Sequence, residues 1–151
     1  MKKLAAVIFV LICVLGIVGC HHDKQETLTY SFRGEHEYFT ISNGSIVFND
    51  AEEVFEGGKL EIVQPEPFAD VASYSTTFYT MKNGERNVIM SNSIIDKTGG
   101  TVNINGDFGR VGGTNLFGMA NREVDNLWFE LKTTDLNGAE NVYQIQLVLT
   151  E

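Results

Sequence analysis

One histidine and several clusters of carboxylates are the chain's candidates for acid–base chemistry. His36 lies in Arg33-Gly34-Glu35-His36-Glu37. A nucleophilic triad built on it would need an activated serine, and no Gly-x-Ser-x-Gly elbow accompanies it. His36 is therefore read as an exposed turn histidine between two acids. Glycoside cleavage needs two acids facing each other across a cleft. Glu35/Glu37 and Glu52/Glu53/Glu56 look instead like solvated turns. Asn103, Asn105 and Asp107, with Gly106, resemble a calcium loop but lack its closing glutamate and its glycine spacing, so a hairpin is expected there. His21-His22 has no third ligand near it in sequence and is read as linker. No phosphate loop, zinc spacing or dinucleotide fingerprint occurs. No catalytic residue, metal ligand or cofactor is assigned. Aromatic rings carry much contact energy, so Trp128, Tyr74 and Tyr79 are the candidate ligand-binding residues, with Tyr38 as a further ring.

The one strong chemical signal is a cysteine. Lys2 and Lys3 precede an uncharged run from Leu4 to Val18. A basic start followed by a short apolar stretch is the pattern of a secretory signal. The run is shorter than the roughly 20 residues of a membrane span. It ends Ile17-Val18-Gly19-Cys20. These four residues resemble the lipobox of bacterial lipoproteins. The resemblance implies diacylglycerol joined to the Cys20 sulfur and cleavage between Gly19 and Cys20 by a dedicated signal peptidase. It also implies a location on the extracytoplasmic face of the cell membrane. Two acyl chains give stable attachment where one binds only reversibly. Further along, Phe32-Arg33-Gly34-Glu35 is similar to openings of small uncharacterised surface lipoproteins of Gram-positive bacteria, a likeness that implies no activity.

Removal of residues 1–19 leaves 132 residues, an ordinary single domain. Cys13 leaves with the signal, so the remaining chain holds one cysteine and can form no internal disulfide. Its fold must rest on an apolar core. The whole chain carries −9; without Lys2 and Lys3 the remainder stands at −11. Such acidity argues against nucleic acid, which wants a basic stripe, and against lying flat on anionic lipid.

The elements that must position these side chains read as strands. Residues 20–27 are polar, without apolar periodicity, and form a lipidated tether reaching at most about 28 Å. From residue 28 to 151 no helical apolar period is sustained. Tyr30/Phe32 and Phe39/Ile41 alternate with polar neighbours, and Asn43-Gly44 is read as the hairpin turn leading into Ser45–Phe48. Asp50 is expected to cap a short helical turn. Leu60 and Ile62 alternate before the break at Pro65 and Pro67. Phe78-Tyr79 and Val88–Met90 form a hairpin about Asn83-Gly84. Thr101–Ile104 is read as a strand within a glycine-rich, tightly turned stretch. Leu127/Phe129/Leu131 and Tyr143/Ile145/Leu147/Leu149 face the core across a turn at Asp135–Gly138, which leaves Trp128 on the opposite face. The sum is an all-β chain, an antiparallel sandwich of about eight strands; a small lipocalin-like barrel is the alternative.

The expected function is therefore a membrane-anchored, non-catalytic binding or interaction domain, its partner a surface protein or a cell-wall glycan. Two alternatives stand beside it. One is a lipocalin-like carrier of a small apolar molecule, and the other a carboxylate-based wall hydrolase near His36.

Overall fold

The computed structural model describes residues 27–118 and 124–151. Gly19, Cys20 and the two tether histidines lie outside those residues. The described chain is an antiparallel two-sheet sandwich. Its eleven strands are β1 (Leu28–Glu35), β2 (Phe39–Phe48), β3 (Glu53–Glu56), β4 (Lys59–Ile62), β5 (Val71–Lys82), β6 (Glu85–Ile95), β7 (Gly106–Asp107), β8 (Arg110–Gly113), β9 (Leu127–Asp135), β10 (Glu140–Gln146) and β11 (Val148–Thr150). One sheet runs β11-β1-β2-β3-β8, with β4 also on β2 and β7 on β4; the other runs β10-β9-β5-β6. The sheets stack rather than close into one barrel, and the described residues form no α-helix.

Alternation decides which face each strand buries. Leu127, Phe129, Leu131 and Thr133 of β9 are buried while the residues between them are partly exposed. The core is built on phenylalanine. Phe32 stacks on Phe55 at 5.3 Å, Phe55 meets Phe78 at 5.0 Å, and Phe78 meets Phe129 at 5.0 Å. Rings of this size remove large apolar areas from water, each contributing roughly 2–3 kcal/mol.

Several expectations change. Asn43-Gly44 is not a hairpin turn but a bulge inside the continuous strand β2. Phe32 pairs with Gly44 and Gly34 with Ile41, so β2 spends one residue more than β1. Asn43 takes a positive φ of 58° there, and the ring of Phe32 lies where a side chain on residue 44 would go. The true turn between β1 and β2 is at residues 36–38. The bulge has a purpose along β2. Its second half pairs with β3 and its first half with β4, and Gly57-Gly58 forms the matching jog between those two short strands.

Asp50 caps no helix. The Asn49 side-chain oxygen instead accepts from the backbone N–H groups of Ala51 and Glu52, closing a tight turn into β3. Residues 101–105 are irregular, although Ile104 is buried as its alternation implied. They touch β5 and β4 without forming a ladder: Val102 N–H donates singly to Val71 O, and the Asn105 side chain, not its backbone, accepts from Ile62 N–H. The last strand is two. β10 pairs with β9 in one sheet, Leu147 N–H donates to Leu127 O at the crossing, and β11 pairs with β1 in the other sheet. The hairpin at Asn83-Gly84 is as expected, both residues taking positive φ.

Candidate functional site

The candidate site is at the end of the sandwich where β1 finishes. β1 opens with Leu28 opposite Phe48 and closes with Glu35 opposite Thr40, and Phe39 pairs in turn with Ile62. Eight residues of strand carry the chain about 25 Å between those ends. Beyond Ile62, Pro65 breaks the strand and the chain makes one 3-10 turn over Glu66–Phe68. The N–H groups of Val63 and Gln64 both donate to Tyr38 O, which fixes this segment to the turn after β1. Segment 101–105 approaches from the other side. Ile62 N–H donates to Asn105 Oδ1 at 2.7 Å, and the Asn105 N–H donates to Asn103 Oδ1.

Between the two segments lies a cleft of about 450 Å³, within the usual range for small-molecule sites. Its floor is Phe68 and Ile104, both buried, and its walls are Ile62 and Val102. Pro65, Glu66, Asn103 and Asn105 make a more polar rim. The floor is backed by an aromatic cluster, with Phe68 5.4 Å from Tyr143 and 6.4 Å from Tyr38. Burial raises the Tyr143 hydroxyl above its ordinary pKa, with the Tyr38 charge adding to it. Val63, 53% exposed, stands beside the rim.

His36 belongs to the same cluster. It is half-buried rather than exposed, because its ring stacks on Phe39 at 4.8 Å and meets Tyr143 edge-on at 5.6 Å. Its Nδ1 accepts from the backbone N–H of Tyr38 at 3.3 Å. The Glu52/Glu53/Glu56 group lies at the opposite end of β2, where Glu53 pairs with Phe48. There Glu53 accepts from Phe117 N–H, and Glu52 and Glu56 flank Arg110 at 3.9 and 4.0 Å. These three acids and the imidazole thus do not meet; Glu35 and Glu37, next to His36 in the chain, are both exposed. Among the described residues no three His, Cys, Asp or Glu side chains are placed to share a metal ion.

The three predicted binding residues divide. Tyr79 and Trp128 face each other across β5 and β9 on the outer face of the second sheet, centroids 6.5 Å apart and planes within 13°. The Arg86 guanidinium lies over the Tyr79 ring, 4.3 Å from its centroid. Tyr79 is only 3% exposed, and burial raises its pKa, with Arg86 pulling it back and Glu130 adding to the rise. Tyr74 is on the inner face of the same sheet. It lines a second cleft of about 290 Å³ with Asn92, Ile94 and Phe108, which shares Ile104 with the first, and burial raises its pKa also.

Sequence reasoning did not assign the walls of the larger cleft. The Pro-Glu-Pro break and the apolar pair Val102/Ile104 were visible, but only the fold brings them together. Arg86 was also missed, because its partners Tyr79 and Glu130 follow from strand register. No family model, curated protein or solved structure matches this chain.

Proposed function

We propose that the protein is a non-catalytic binding module, held on the outer face of the cell membrane by lipid on Cys20 and presenting its ligand at the far end of the sandwich. The position of the cleft carries this reading. β1 starts where the tether joins and ends at the cleft, so the strand itself acts as a spacer that lifts the site away from the lipid. β-sandwiches commonly bind at one end, where loops converge on a rigid frame. The apolar floor and polar rim suit a compact apolar group, such as a side chain of a surface protein, oriented by the Asn103 and Asn105 amides. His36 packed into rings, Glu35 and Glu37 exposed on either side of it, and the Glu52/Glu53/Glu56 group toward the other end of β2 favour binding over hydrolysis. A carrier would need an enclosed apolar chamber, whereas here phenylalanine fills the space between the sheets.

Two measurements test the two halves. Cells expressing the full chain and fed labelled palmitate should show label on the wild type and none on Cys20→Ala, which should leave the membrane fraction. A Cys20→Ala chain that stays labelled and membrane-bound overturns the anchor. In a fragment screen by protein-observed NMR, apolar fragments should shift Val102, Ile104 and Phe68, and Val102→Trp should abolish those shifts. Fragments that bind only elsewhere overturn the site.

A further inference from the structure

We propose that the outer face of the β10-β9-β5-β6 sheet is a second site, independent of the end cleft, and that it binds an extended uncharged polysaccharide. The argument begins with Trp128. Its ring runs nearly parallel to that of Tyr79, with centroids 6.5 Å apart, and Tyr79 is itself covered by the Arg86 guanidinium, so the indole stands beside a ring that is held in place. Its other side looks toward β10, where the residue opposite is Gln146, an exposed amide. An indole that is partly exposed and flanked by Tyr79 offers the C–H face of a sugar ring an apolar surface, as aromatic side chains do for apolar faces generally.

Around it the face mixes exposed apolar residues, Val88 and Val142, with hydrogen-bonding groups whose charges are paired. Glu130 is next to Trp128 on the outward side, and its carboxylate accepts from Gln144 and pairs with Arg86 at 3.0 Å. Lys132, the next outward residue, pairs with Glu140 at 2.9 Å. Each cation on this stretch is therefore matched by an acid, in a chain whose total charge is −9. A polyanion would find no unpaired cation here. Sugar hydroxyls, which donate and accept, can use the remaining lone pairs of Glu130 and the amides of Gln144 and Gln146. The Thr77 and Ser91 hydroxyls, 3.2 Å apart, continue the polar surface across β5 and β6. Four antiparallel strands make this face long and shallow, which fits a chain of sugars lying across it better than a single sugar.

Trp128 is the chain's one tryptophan, so its emission reports on this site alone. The full chain, purified in mild detergent, is titrated with hexamers of β-1,4-linked glucose and of N-acetylglucosamine, with alginate as the anionic control. The expected result is a saturable change in tryptophan emission with at least one hexamer and none with alginate. Calorimetry should then show at least a tenfold loss of affinity for Trp128→Ala and a loss of threefold or more for Gln146→Ala, with both variants keeping the wild-type circular dichroism and melting transition. The proposal is overturned if neither hexamer changes the emission at millimolar concentration. It is equally overturned if alginate binds as well as the hexamers, or if folded Trp128→Ala binds unchanged.

Discussion

Two glycines show how a backbone demand differs from a packing demand at the scale of a single residue. Gly58 and Gly84 both take positive φ, 73° and 82°. Gly84 is in an open turn with nothing near the position a Cβ would take, whereas at Gly58 that position is filled by the backbone of Ser42, Asn43 and Gly44. Gly84→Ala should therefore cost about 1 kcal/mol, the conformational penalty alone. Gly58→Ala adds overpacking of roughly 1–3 kcal/mol against atoms that cannot rotate aside. Urea unfolding of the two variants should rank them in that order by at least the overpacking increment; equal midpoints would mean the jog at Gly58 is not tightly packed. The same contrast explains why Asn43-Gly44 misled. Asn-Gly advertises tolerance of positive φ, a property shared by two-residue turns and by bulges. What separates them is the Phe32 ring pressed on Gly44, a contact between strands that local sequence does not record.

Elements were legible where their pattern is self-contained. The β5–β6 hairpin needed only alternation and Asn83-Gly84, and the inward set Tyr143, Ile145 and Leu147 was plain. Two features were not. Val102 and Ile104 carry strand-like alternation because they cap the interior, but a strand also needs a ladder of backbone pairs, and periodicity reports burial rather than pairing. The change of sheet at Leu147 leaves no mark either, since inward alternation continues through it from Ile145 to Leu149. For the same reason the end cleft was invisible while most of the strands around it were not. The sheet change makes the final residues structural. A chain ending at Leu147 loses β11, exposes the edge of β1 and uncovers Leu149's neighbours in the core. Such a truncation should lower the melting temperature by several degrees and increase association, because an unprotected edge invites pairing between molecules. Size-exclusion chromatography with a thermal melt checks this; a monomer of unchanged stability would show that β11 is dispensable.

Across the whole molecule, stability rests on aromatic burial, and that gives it a particular weakness in alkali. Tyr74, Tyr79 and Tyr143 all have hydroxyls whose pKa is raised, chiefly by burial. Above the ordinary value of 10.0 the unfolded chain gives up these protons before the folded one does. Their contribution is complete below that pH and is lost as pH rises through the folded values. Unfolding midpoints should accordingly fall above pH 10, while absorbance titration shows tyrosines ionising late or together with unfolding. Tyrosines that ionise at the ordinary value with no loss of structure would contradict it.

The placement of β1 has a mechanical consequence. It is flanked on both sides, by β2 and by β11, and it runs from the N-terminal end of the described residues toward the cleft. On the anchored reading, lipid pulls at one end of this strand and a ligand at the other. The load then runs parallel to β1, so its cross-strand hydrogen bonds are sheared together instead of being opened one after another. On that same reading, a domain strung in this direction would hold a ligand against flow with no disulfide to reinforce it, because each rung shares the pull.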